Sequence, residues 1–279
     1  MSEAIATECT AMVVDIRGFT TTLQKATRNE PKDGASRFRR FVDFLDRFYD
    51  ACVLVAETLC DDPNRLYVNS TGDGIAALFL DPECHAQQAF LTGIVLAHGL
   101  PALFDRYADL FPLRARAADG YPVNQFGIGI DSGTVRAVAT ARSQAQLKTY
   151  IGNPLNIASR LESYTSTLHR TRMVVASSTV NIVTNGEYNR LSWAALSAND
   201  DPKRARELFD LLNTFDADLG LKYLNELYLK GVDEPVKAFR LSPSFMGTEP
   251  LIGVVRKISP KLEESFHLAL GRMAAVASQ

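Results

Sequence analysis

Two aspartates stand where a carboxylate could do chemistry. Asp15 closes the apolar run Ala11-Met12-Val13-Val14, which reads as a short buried strand, and Arg17-Gly18-Phe19-Thr20 follows as a glycine turn opening a helix. Asp73 lies in Thr71-Gly72-Asp73-Gly74, between two strand-like runs within residues 65–80. Asp-Gly between apolar runs predicts a tight hairpin. If the two strands are neighbours, both carboxylates converge on one edge of a sheet. Paired carboxylates on rigid strand ends can hold two Mg²⁺ or Mn²⁺ ions for in-line attack on phosphorus. The backbone amides of Gly18, Phe19 and Thr20 at the helix start could cradle phosphate oxygens. Each piece also has a plainer reading: Asp-Gly as a mere turn, and a strand-ending Asp as a helix cap.

The elements that must position these residues follow from periodicity. From Ser36 to about Leu59, apolar residues recur every three or four positions, which predicts one long amphipathic helix stopped by Asp61-Asp62-Pro63-Asn64. Residues 29–34 read as a loop and 83–110 as helix. Residues 124–140 read as strand, turn, strand, and Gly152-Asn153-Pro154 breaks the chain before a helix from Asn156 to about Tyr164. Residues 172–177 predict a strand, with Ser177-Ser178-Thr179 capping a short helix. Residues 197–222 look like a charged helical insertion, and 223–241 like a hairpin turning at Gly231–Pro235. The alternation predicts an α/β (α+β) domain over residues 1–243, with an antiparallel-rich sheet and helices against one face. A C-terminal extension over 244–279 ends in a helix from about Pro260 to Val276; its pattern does not say whether it docks on the domain or on a partner.

Composition removes several classes of function. The chain has 279 residues, 46% hydrophobic and 22% charged, with 30 Lys plus Arg against 32 Asp plus Glu. A net charge of -2 gives no electrostatic reason to coat nucleic acid or an acidic membrane. Cys9, Cys52, Cys60 and Cys84 form no CxxC pair and the four histidines no HxxxH, so a structural zinc site is not expected. The cysteines read as small buried hydrophobes in a reducing cytosol, and a cytoplasmic location is expected. The N-terminus has no signal-peptide pattern. The most apolar stretch, Gly93 to Phe104, is interrupted by His98, Gly99 and Pro101, so no membrane span is expected. No GxGxxG follows a strand, which leaves a Rossmann fold without support.

Four ordered blocks resemble the catalytic domain of class III nucleotidyl cyclases, over about Cys9 to Ser242. They are Asp15-Ile16-Arg17-Gly18-Phe19-Thr20, Ser70-Thr71-Gly72-Asp73-Gly74, Gly127-Ile128-Gly129-Ile130-Asp131-Ser132-Gly133 as a central hairpin, and Ile151–Glu162 containing Asn156 and Arg160. Lys230-Gly231 near the last hairpin also fits. The resemblance implies a ferredoxin-like, palm-type fold converting a nucleoside triphosphate to a 3′,5′-cyclic nucleotide and pyrophosphate. It implies two divalent cations on Asp15 and Asp73, with the Ile16 carbonyl assisting. Asn156 would orient the ribose, Arg160 would stabilise charge on the α-phosphate, and Lys230 would hold the terminal phosphates. It further implies a head-to-tail homodimer with two composite sites, the metal acids from one chain and Asn156, Arg160 and the base pocket from the other. Against this stand plainer readings: Asn156 as a helix cap, Arg160 and Glu162 as a solvated helix face, Lys230 as a surface lysine.

The base pocket departs from the family pattern. Adenylate cyclases usually place Lys before the second metal acid and Asp or Thr before the Gly-Asn turn; guanylate cyclases place Glu and Cys. Here Asn69 and Thr149 stand at those positions, and Tyr49 on the long helix could reach the same pocket, or be a core aromatic with its hydroxyl at the rim. A short cyclase with this pocket resembles the bacterial pyrimidine cyclases of antiphage defence, which make cUMP or cCMP for a separate effector protein. The expectation is therefore a uridylate cyclase using UTP. The alternatives are an adenylate cyclase, a catalytically silent regulatory domain, and a palm-type polymerase or dinucleotide cyclase. Intact Asp15, Asp73, Asn156 and Arg160 weigh against silence, and a polymerase would leave Asn156 and Arg160 unexplained.

Overall fold

Strand β1 (Ala6–Ile16) is the strand around which the sheet is built. The computed structural model describes residues 6–27, 34–111, 124–140, 147–168, 171–190, 219–242 and 248–278, with isolated positions between 194 and 207. β1 lies antiparallel between β3 (Gly74–Phe79) and β4 (Phe126–Thr140), and β2 (Leu66–Ser70) pairs outside β3. Beyond β4 come β6 (Met173–Ala176), parallel to β4, then β8 (Val236–Leu241) antiparallel to β6 and β7 (Leu221–Leu227) antiparallel to β8. The order is β2-β3-β1-β4-β6-β8-β7, and β5 (Leu147–Ile151) pairs with the far half of β4. Helices α1 (Phe19–Thr27) and α2 (Gly34–Leu59) link β1 to β2, and α3 (His85–Arg106) links β3 to β4. This is the expected ferredoxin-like, palm-type core.

The helices cover both faces of the sheet, not one as the alternation predicts. β1 explains why: Met12, Val14 and Ile16 pack in the core with α2 and α3, while Cys9, Ala11 and Val13 pack on the other side with Val135, Tyr150 and Ala158. A run apolar at every position must be covered twice. The second cover is α4 (Asn153–Tyr164). It lies close against β4 because residue 129 is glycine: a Cβ there would collide with the backbone of Ala158 and Glu162.

Local differences have local causes. β4 runs straight through Asp131-Ser132-Gly133 with no hairpin, since Gly133 stays in register opposite Cys9. β5 runs back antiparallel along the far half of β4, with Leu147 opposite Thr140. The loop of the first hairpin is Gly72-Asp73, one residue earlier than Asp-Gly predicts. Gly72 takes φ +95° and Thr71 N–H bonds to the Gly74 carbonyl at 2.9 Å, so the left-handed residue comes first and Gly74 belongs to β3. The cap of α5 (Ser177–Val183) is Ala176, without a side-chain bond, and Ser178 Oγ donates instead to Asp131 at 2.5 Å.

The C-terminal segment docks on the chain itself. α6 (Thr248–Ile258) and α7 (Glu263–Ser278) bury Leu251, Val254, Val255, Phe266 and Met273 in the same core as α2 and α3. Most of 197–222 lies outside the described residues, as do 28–33 and 243–247; Leu221 and Lys222 already belong to β7. Among the described residues α3 alone is long and apolar enough to cross a membrane, contrary to the expectation from its interruption by His98, Gly99 and Pro101. Of its apolar window 78% is buried inside this fold, beneath the sheet and α7.

Candidate active site

β1 and the β2–β3 hairpin bring Asp15, Ile16 and Asp73 to one edge of the sheet. Asp15 lies opposite Gly74 on one neighbouring strand and Gly127 on the other, and Ile16 N–H bonds to the Asp73 carbonyl at 2.9 Å. Burial, then the adjacent Asp73 carboxylate, pushes the Asp15 carboxyl up to about 6. Its Oδ1 is buried and has no hydrogen-bond partner. A divalent cation fits this set: it would satisfy the orphaned oxygen and replace carboxylate repulsion by attraction. The donors are all oxygens, two carboxylates and a backbone carbonyl, which suits Mg²⁺ or Mn²⁺. Among the described residues no third His, Cys, Asp or Glu completes a metal cluster, so further ligands would come from phosphate and water. Gly18, at φ +70°, turns the chain into α1, whose first amides include those of Phe19 and Thr20, donors without helical partners.

Asn156 and Arg160 lie one turn apart on the exposed face of α4. Asn156 is not the cap, which is Gly152. No hydrogen bond or ion pair among the described residues engages either side chain. Glu162, two residues on and so about 200° around the helix, is 2% exposed, which excludes the solvated face read for it. Asn156 borders a cleft of about 810 Å³ between α4, β4 and the β7–β8 turn, whose walls include Asp131, Ser178 and Gly231. Lys230, exposed, precedes Gly231 in that turn.

The base-pocket candidates fall on two strands that are not paired in the sheet and that touch through one aromatic pair. Asn69 on β2 and Thr149 on β5 are both exposed, and one residue or two away Tyr67 and Tyr150 stack edge to face at 5.2 Å. Tyr49 is half-buried beside Phe48, and its hydroxyl donates to the Gly72 carbonyl at 2.7 Å. The hydroxyl thus supports the turn that carries Asp73.

Sequence reasoning missed the partner of Arg17. One guanidinium nitrogen, Nη2, donates to the Glu162 carbonyl at 2.6 Å and to Thr165 Oγ1 at 2.7 Å. Its two hydrogens are thereby taken, so its 2.6 Å approach to Glu162 Oε1 is ionic. Burial still pushes Glu162 up to about 7 despite the opposing pull of Arg17. Gly127 makes the room, since a Cβ there would collide with Arg17, Glu162 and Thr165. The residue types were visible in two of the blocks, but not a pairing across 145 positions.

No family model matches the sequence, and no curated protein matches it significantly. Solved structures do resemble the fold. The adenylyl cyclase CyaB from P. aeruginosa is 17% identical with a TM-score of 0.54, over 86% of this chain and 95% of that one. A bacterial light-regulated adenylyl cyclase is 15% identical with a TM-score of 0.56; 95% of this chain is covered but only 60% of that one. The guanylyl cyclase Cya2 is 18% identical with a TM-score of 0.50, over 85% and 93% of the two chains. The likeness at these identities is one of architecture: the chain has the class III cyclase fold.

Proposed function

We propose that this chain is a metal-dependent nucleotidyl cyclase that closes a nucleoside triphosphate into a 3′,5′-cyclic nucleotide. The observation that carries the reading is the Asp15–Asp73 pair, with a buried unpartnered oxygen on Asp15, in a class III cyclase fold. The ribose 3′-oxygen attacks the α-phosphorus and gives its proton to solvent, while the bond from the α-phosphorus to the oxygen bridging to the β-phosphate breaks and pyrophosphate leaves. Two divalent cations held by Asp15, Asp73 and the Ile16 carbonyl would lower the pKa of the 3′-hydroxyl and neutralise the triphosphate. Asn156 orients the ribose, Arg160 donates to the α-phosphate oxygens as charge builds, and Lys230 with the amides of Gly18, Phe19 and Thr20 holds the phosphate tail. α4 turns Glu162 toward its own metal loop and Asn156 and Arg160 away from it, which supports a head-to-tail homodimer in which α4 serves the partner's acids.

The base would be uracil. The Asn69 amide can donate to O4 and accept from N3–H, and Thr149 adds a hydroxyl. Guanine is poorly served without an acid to accept from its N1–H and amino group. The resemblance to bacterial pyrimidine cyclases extends this reading to cUMP as an antiphage messenger for a separate effector. A flipped Asn69 amide would match adenine instead, so cAMP formation is the second reading. Incubation with each of the four nucleoside triphosphates and Mn²⁺, with products identified by mass, tests both. cUMP as the main product with cCMP next is expected; efficient cAMP formation with UTP and CTP ignored overturns the base, and no cyclic product from any overturns the cyclase.

A further inference from the structure

We infer that Arg17 and Glu162 are positioning residues, forming a strut that ties the metal loop of each chain to the α4 helix of that same chain. The inference rests on the cyclase reading above, and adds that the two half-sites one chain contributes are not independent. Arg17 is the second residue after Asp15, and the first after the Ile16 carbonyl. Its Nη2 donates to two acceptors on the far end of α4, the Glu162 carbonyl at 2.6 Å and Thr165 Oγ1 at 2.7 Å, and lies 2.6 Å from Glu162 Oε1 as an ion pair. Thr165 Oγ1 in turn donates to the Glu162 carbonyl at 2.7 Å, so the last turn of α4 is closed around the arginine. Thr165 is fully buried and Glu162 nearly so. The acceptors are thus shielded from water while the Arg17 side chain keeps 21% exposure, so a displacement of the Arg17 backbone strains bonds to buried groups that need them. Arg17 Nε is buried with no partner, and the arrangement leaves it unsatisfied while holding α4. Arg160 stands two residues before Glu162 on the opposite side of the helix. Any shift of the joint therefore moves the guanidinium that, in a head-to-tail dimer, acts on the other site. Loading of one site with metal would in this way set the α4 geometry of its neighbour.

The test uses the full-length protein with Mn²⁺ alone and then with nucleotide. In the wild type, Mn²⁺ binding followed by electron paramagnetic resonance should slow hydrogen exchange in α4, most strongly over residues 160–165. In Arg17→Gln, Mn²⁺ should still bind within about threefold of the wild-type affinity, but the exchange response of α4 should vanish. Turnover should fall about 10- to 100-fold with the nucleotide KM changed less than about threefold, the signature of lost transition-state positioning. Arg17→Lys keeps the charge but not the fork, and should lie between the two; it also serves if Arg17→Gln folds poorly. An Arg17→Gln protein with the wild-type exchange response and turnover overturns the strut and leaves the cyclase reading standing. A wild type that binds no Mn²⁺ overturns both.

Discussion

Asp15 and Asp73 are held together by the backbone while their charges repel. Burial and the neighbouring carboxylate already raise Asp15 to about 6, so removing one charge relieves the repulsion within the pair. Asp15→Asn or Asp73→Asn should therefore fold normally and melt no lower than wild type at pH 7.5 without divalent ions. Turnover should fall by about 10³-fold or more, since a metal supplies several kcal/mol at the transition state. Thermal melts and product assays on both variants check this, and near-wild-type turnover would remove the metal assignment. These acids were legible because strand-end and hairpin positions can be read from neighbouring residues. Tyr49 was only half legible: a helix pattern places it at the core rim, but its bond to the Gly72 carbonyl depends on how α2 crosses the hairpin. Arg17 and Glu162 were less legible still, because a buried ion pair between distant segments leaves no local periodicity to read.

At the scale of elements, hydrophobic periodicity predicted α2, the two hairpins and the final helix to within a few residues. It failed where a tertiary contact decides. The pattern predicts a turn within residues 124–140, and the structure keeps β4 whole because β1 pairs along it as far as Arg136. That continuity carries Asp131 into the protein, 4% exposed, with Ser178 Oγ its side-chain donor. Burial raises it from 3.8 to about 6. Between those values the folded chain holds a proton that the unfolded chain has lost, so this group's contribution makes stability fall as pH rises through the window and stay lowered above it. Asp131→Asn should thus raise stability at pH 7.5 by about 2–3 kcal/mol and change it little near pH 4. Denaturant melts at both pH values decide; equal effects at both would mean that the carboxylate is not held against its charge.

For the whole molecule, the division of labour within one chain has a stoichiometric consequence. α4 packs Glu162 inward onto Arg17 and leaves Asn156 and Arg160 outward without a described partner. A helix fixed in that rotation presents Arg160 to another molecule more readily than to its own Asp15. If sites are shared head to tail, an Asp15→Asn chain keeps a sound α4, and an Arg160→Ala chain keeps a sound metal loop. Each homodimer has two broken sites. A heterodimer has one site with both defects and one with none. Random exchange at equal amounts makes half of the dimers mixed, each with one of two sites intact, so about a quarter of wild-type activity should return. Neither variant alone should exceed background. The measurement is activity against mixing time, with subunit exchange followed independently by native mass spectrometry of a mass-tagged chain. Exchange to the statistical distribution without any recovery would mean that Asp15 and Arg160 act within one chain, and that α4 must rotate away from Arg17 to reach its own metal loop.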